Sequence, residues 1–233
     1  MTKATAIARP PHGHRLERRR AQWFAPTGLI LLSLIPVLAG AVRLTELTGG
    51  AVATPQNARF LDSPAPVVTH IVSVTVYSLL GAFQFVAALR RRRAGWHRLA
   101  GRILIPAGLL AALSGMWMAA FYPHPAGDGA ILVVLRLVFG AAMVASIGLG
   151  IRGIVRRDFT RHSAWMTRAY AIGVGAGTQA LVLIPHSIFF DSTDELSRAV
   201  FMGAAWVINL AAAEYVIRRR ARPTSTQPLR ESP

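Results

Sequence analysis

Long uncharged apolar stretches alternate along this chain with short polar segments. Trp23 to Val42, Ser63 to Leu89 and Ile103 to Gly127 carry no charged residue. Gly129 to Ile151 is interrupted by Arg136 alone, Ala169 to Phe190 is uninterrupted, and Ala199 to Ile217 contains only Glu214 near its end. A helix crosses the hydrocarbon core of a bilayer with roughly 20 apolar residues. The pattern therefore predicts an all-α, six-helix transmembrane bundle. Residues 1–22 form a basic tail, residues 23–217 the six-span membrane domain with its core at 66–190, and residues 218–233 a basic, disordered tail. The longest connection, Arg43 to Pro66, carries Gly49-Gly50, Pro55 and Ser63-Pro64-Ala65-Pro66 and reads as a mostly irregular crossing.

Apolar side chains gain little by leaving lipid for protein, so helices in a bilayer associate through small residues and polar contacts. Spans three to five supply small residues four apart: Ala107, Ala111 and Gly115; Ala142, Ser146 and Gly150; Gly173 and Gly177. Spans two to five accordingly form the expected four-helix core. Pro36, Pro106 and Pro185 fall inside spans and predict kinks. Gly173, Gly175 and Gly177 are not a nucleotide loop, because an apolar helix and no strand surrounds them.

Charge then orients the bundle. The chain has 233 residues and a formal net charge of +16, which in a soluble protein suggests nucleic-acid binding. Here the cations sit at the ends of apolar spans, so nucleic acid is not the expected partner. The two tails and the loops after spans two and four hold 22 of the 26 basic residues, while the opposite side holds only Arg43, Arg59 and Arg198. Short loops rich in Lys and Arg stay cytoplasmic. The expected location is the bacterial inner membrane with both termini in the cytoplasm. The basic tail, apolar run and Ala39-Gly40-Ala41 also resemble a cleavable signal peptide, but the run is long for one. Cysteine is absent, which removes disulfides, thiolate zinc and cysteine-held iron–sulfur clusters. No metal site and no catalytic set is read from the sequence.

Ionisable groups inside a membrane are expensive and mark candidate sites. Arg136 lies about two turns in from the outer end of span four, with Asp128, Asp191, Asp194 and Glu195 as candidate partners. His70 and His186 lie about one turn from the outer ends of spans two and five, and His124, between Pro123 and Pro125, ends span three. These four make a candidate outer polar layer for a ligand or haem. Near the other side, Glu214 precedes Arg218 by four residues, an order that favours an ion pair. His97, Arg98 and Arg102, and likewise His162, Trp165 and Arg168, open spans three and five. A helix N-terminus with arginines favours anions, so these two motifs are candidate sites for anionic lipid headgroups.

Two haems stacked across the membrane need paired histidines about 20 Å apart on one helix; His162 and His186 are 24 positions apart, about 36 Å. That spacing rules against a diheme protein. Two readings stand: a non-enzymatic membrane protein handling a small solute or lipid, or serving as a partner subunit; and a redox membrane protein binding one haem b, or a quinone, through His70 and His186.

His70, the Gly81–Gln84 stretch with Phe83 and Phe85, the His97-Arg98…Gly101-Arg102 segment and His162…Trp165-Met166…Arg168…Tyr170-Ala171 together resemble a bacterial predicted-membrane-protein family, domain of unknown function 2306. The resemblance covers roughly Thr69 to Pro185. It implies a multi-pass membrane fold and leaves molecular function open. The family pattern carries a Thr-Leu-Arg-like segment late in span five, where this chain has Thr178-Gln179-Ala180, so a charge implied by the resemblance is absent.

Overall fold

The computed structural model describes residues 12–190 and 194–221, and these are helical apart from short connections. In chain order the helices are α1 (His12–Thr48), α2 (Ala58–Asp62), α3 (Pro64–Ala82), α4 (Ala87–Arg92), α5 (Ala94–Phe121), α6 (Ala130–Val155), α7 (Phe159–Gly173), α8 (Gly175–Phe189) and α9 (Glu195–Ala221). A 3-10 turn, Phe83–Phe85, follows α3. Among the described residues, five helices are long and apolar enough to cross a membrane, or six if α7 and α8, bent by 41° at their junction, count as one span. The tail up to residue 11, Asp191, and the tail beyond Ala221 lie outside the described residues.

Spans two to five, α3, α5, α6 and α7 with α8, make a ring in which α3 also meets α7. The largest buried apolar cluster draws its fully buried members from these spans alone, among them Tyr77, Leu104, Met143, Ile147 and Tyr170. The first helix packs on α3 and α8, and α9 packs on α6, α7 and α8. Close approach is what permits this packing. The Tyr77 ring lies between Gly108 of α5 and Gly173 of α7; a Cβ at either glycine would come within 2.6 and 2.7 Å of its ring carbons. Gly81 in the same way admits the Tyr170 ring, whose hydroxyl donates to the Ser78 carbonyl at 2.7 Å. Gly150 faces Met166, and Gly177 approaches the Leu32 backbone of α1. The Tyr77 hydroxyl itself has no hydrogen-bond partner among the described residues.

Three expectations change. The connection after span one is shorter than Arg43 to Pro66: α1 continues to Thr48, and the ion pair between Arg43 and Glu46 within it makes the extra turn compatible with charge. The chain between Gly49 and Ser63 also contains α2. The helices run uninterrupted through Pro36, Pro106 and Pro185. The interruption comes at Val174, where α7 and α8 meet at 41°. Unpaired backbone groups are tolerated at membrane depth only when protein partners satisfy them. Asn209 of α9 does so, donating from Nδ2 to the Ala171 carbonyl at 3.1 Å while its Oδ1 accepts from Thr178 Oγ1 at 2.8 Å.

The notches and the orphan hydroxyl make separable predictions. Gly108→Val and Gly173→Val each force a buried ring to move and lower thermal stability by about 1–3 kcal/mol. Gly148→Val, where a Cβ meets nothing within 4 Å, leaves the melting temperature unchanged. Tyr77→Phe keeps the ring and deletes an unsatisfied hydroxyl, so it holds or raises that temperature. Thermal unfolding of detergent-purified variants by intrinsic fluorescence measures all four.

Candidate functional site

A cavity of about 370 Å³ enters the bundle from the arginine-poor end. Its rim is built by Arg59 and Phe60 of α2, by the Tyr122–Pro125 turn with His124, and by Asp128 and Arg136. Deeper, His70 and Gln179 line it, and Met143, Gly173 and Trp206 lie near its end. The interrupted span contributes Ile172, Gly173, Ala176 and Gln179, so the non-helical backbone borders a cavity and not lipid. Met116, Met118, Met143 and Met202 also line it; unbranched thioether side chains fit ligands of varied shape.

The rim is organised by one carboxylate. Gly127, at φ +85°, turns the chain in a conformation that suits glycine, and the Asp128 N–H donates to Pro125 O at 3.0 Å. Asp128 then directs its two oxygens to two arginines. Oδ2 meets Arg136 Nη2 of α6 at 2.8 Å, and Oδ1 accepts from Arg198 Nε of α9 at 2.8 Å. Burial works against ionisation of Asp128, but the Arg136 charge, with the Arg198 hydrogen bond, outweighs it and holds the carboxyl below its ordinary range. Of the other expected partners of Arg136, Asp194 caps α9, accepting from the Leu196 and Ser197 N–H groups, and Glu195 packs against Gly129. Arg59 stacks on Phe60 and donates to the Pro123 carbonyl at 3.2 Å.

The candidate layer divides. His70, His124 and Arg136 line the cavity; His186 does not. His70 Nδ1 lies 2.9 Å from the Ala111 carbonyl, which can only accept, so the proton is assigned to Nδ1 and the neutral ring keeps a lone pair on Nε2. His124 likewise donates from Nε2 to the Ala119 carbonyl at 2.9 Å and stays exposed at the rim. His186 is 3% exposed, bonds Ser197 Oγ at 2.9 Å, stacks on Phe190 and meets Phe201 edge-on. It ties α8 to α9, and His70 and His186 do not share a chamber. Gln179, Trp206 and Arg59 were not among the expected residues. Gln179 lies in the segment that the resemblance singled out, next to Ala180, the position where it implies a charge.

At the arginine-rich end the two motifs differ. His162 donates from Nδ1 to the Gly150 carbonyl at 2.9 Å, pinning α7 to α6. Arg168 stacks over Trp165 and reaches Glu214 with two nitrogens, at 2.5 and 3.1 Å. The expected Glu214–Arg218 pair thus gives way to a bond between α7 and α9, and Arg168 is neutralised. Trp96 meets Phe83 edge-on beside His97, and Arg98 and Arg102 are exposed.

The Asp128 carboxylate has a lowered folded pKa, so its stabilising effect is present above the unfolded carboxyl pKa and is lost as pH falls through the folded one. Asp128→Asn should cost about 3 kcal/mol at neutral pH by leaving two arginines without their anion. It should also flatten the acid side of the stability profile, measured as melting temperature against pH.

No curated protein and no solved structure matches the chain. A family model described as predicted membrane protein does match, over residues 67–217. That range runs further than the Thr69 to Pro185 resemblance, from α3 into α9, and takes in every cavity residue named above except Arg59 and Phe60. The chain therefore belongs to the predicted membrane protein family DUF2306.

Proposed function

We propose that this multi-pass membrane protein binds a small amphipathic molecule inside the bundle, as a solute- or lipid-handling protein and not as an enzyme. The observation that carries the reading is the cavity. At about 370 Å³ it falls within the range of small-molecule sites, roughly 300–1,000 Å³. Its chemistry is graded: cations at the rim, isolated polar groups in the middle, and aromatic and thioether side chains at the end. A broken span beside it supports the reading, because discontinuous helices often border substrate sites in membrane proteins.

The arginine asymmetry supports an inner-membrane location with both termini in the cytoplasm, so that the cavity opens outward and the arginine-rich end meets anionic headgroups. Fluorescent protein fused after Pro233 should then glow and alkaline phosphatase at that site should be inactive. The reverse pattern overturns the orientation.

Trp206 reports on occupancy. Brominated ligands quench indole at contact, so 4-bromophenylacetate or its uncharged counterpart 4-bromophenethyl alcohol should quench the purified protein saturably. Trp206→Phe should remove that quenching component. Ala176→Leu, which grows a side chain into the space from an exposed alanine, should abolish it without unfolding the protein. If neither compound quenches saturably, the binding reading is wrong.

One observation favours a single haem b as a second reading. His70 is anchored through Nδ1 to a carbonyl, the arrangement in which histidine offers Nε2 as a ligand. A Soret band after expression with ample haem, lost in His70→Ala, would replace the first reading; its absence removes the second.

A further inference from the structure

Of the charged side chains that line the cavity, two are cations, Arg59 and Arg136, and one is a carboxylate, Asp128. Arg198 holds that carboxylate from α9, where Glu195 lies against the neighbouring Gly129. Asp128 commits one oxygen to each of Arg136 and Arg198, and among the described residues no carboxylate forms an ion pair with Arg59. Arg136 reaches Asp128 through Nη2, while a guanidinium has five N–H donors. Half-buried charge without a counter-charge is costly, and a ligand anion relieves that cost.

Depth adds a second constraint. Gly140 is four residues beyond Arg136, about 6 Å deeper along α6. It faces Met116, next to Gly115, against which the His70 ring lies. On the opposite wall Met202 is four residues beyond Arg198, and its carbonyl accepts from Gln179 Nε2 at 3.3 Å. His70 and Gln179 therefore stand about one turn below the arginines. With Nδ1 donating, His70 offers Nε2 as an acceptor; Gln179, one of whose amide N–H groups goes to Met202, offers Oε1 as an acceptor and its second N–H as a donor. Size adds a third. At about 30 Å³ per water-sized volume the cavity holds about a dozen. That suits one ring or one short chain and is far too small for a two-chain phospholipid.

We infer that the ligand is a singly charged organic acid of about a dozen non-hydrogen atoms. Its carboxylate sits at Arg136 and Arg59, and a hydroxyl or N–H on its body meets His70 and Gln179. The apolar remainder lies against Phe139, Met143 and Trp206. Arg198 keeps its hold on Asp128 when the ligand engages Arg136, and so acts as a positioning residue. This inference rests on the cavity being a binding site.

Calorimetry of the full chain in dodecyl maltoside tests it with three probes: 4-hydroxyphenylacetate, phenylacetate and the uncharged 4-hydroxyphenethyl alcohol. The hydroxy acid should bind at least about tenfold more tightly than the alcohol, as expected for losing charge-assisted hydrogen bonds. It should also bind several-fold more tightly than phenylacetate. Arg136→Gln and Arg59→Gln should each erase the advantage of acid over alcohol. Arg59→Gln leaves the Asp128 clamp intact, so a folding defect in the first variant does not decide the matter. Equal binding of acid and alcohol overturns the anion assignment while the binding site stands. No binding by any probe also overturns it, and together with absent Trp206 quenching it removes the binding site too.

Discussion

The lodging of the Tyr77 ring between Gly108 and Gly173 is the contact from which the rest of the bundle follows. In lipid no hydrophobic gain draws helices together, so contact area must come from surfaces that approach closely. Two hydrogens stand where side chains would be, and one aromatic ring fills the gap between spans two, three and five. Tyr170, seated on Gly81 and bonded to the Ser78 carbonyl, repeats the device one layer further along. Span four enters through Met143 and Ile147, which pack on the same ring cluster. The outer helices add polar cross-ties at each level: Arg198 to Asp128, Asn209 to Thr178 and Ala171, and Glu214 to Arg168.

These cross-ties all run from α9. The four side chains that make them, if Ser197 to His186 is included, are spread from one end of the helix to the other. A helix that contributes no fully buried residue to the main apolar cluster thus aligns the others. It also supplies Trp206, which stacks on Phe139 and borders the cavity. The cavity is lined by spans two to five, and α9 adds Met202 and Trp206 to its wall.

The spans were legible because a bilayer demands uncharged length, and Arg136 was legible as a candidate because a cation inside such length is costly. Helix ends were less so. Arg43 and Glu46 look like loop residues one at a time, but α1 continues through them and they pair at i,i+3. The break at Val174 was hidden for a related reason: the helices continue through the three prolines, and the interruption falls in the glycine cluster, which the sequence marked only as small residues for close packing. His186 matched His70 in depth but not in direction. Depth follows from counting residues from a span end, whereas direction depends on which neighbour the helix face meets. With α9 left outside the expected core, nothing in the sequence turned His186 toward Ser197 or brought Trp206 to the cavity.

Tyr77 has a further consequence when the cavity is considered as a path. Val74, one turn before it on α3, still borders the open space, as do Gly173, against which the Tyr77 ring lies, and Met143 of the same buried cluster. The same ring that locks three helices is therefore a plug below the chamber. A molecule could not continue toward the arginine-rich end unless that ring left its two notches, and with it the contact that holds the bundle closed. In this arrangement the chamber is a blind pocket reached from one side.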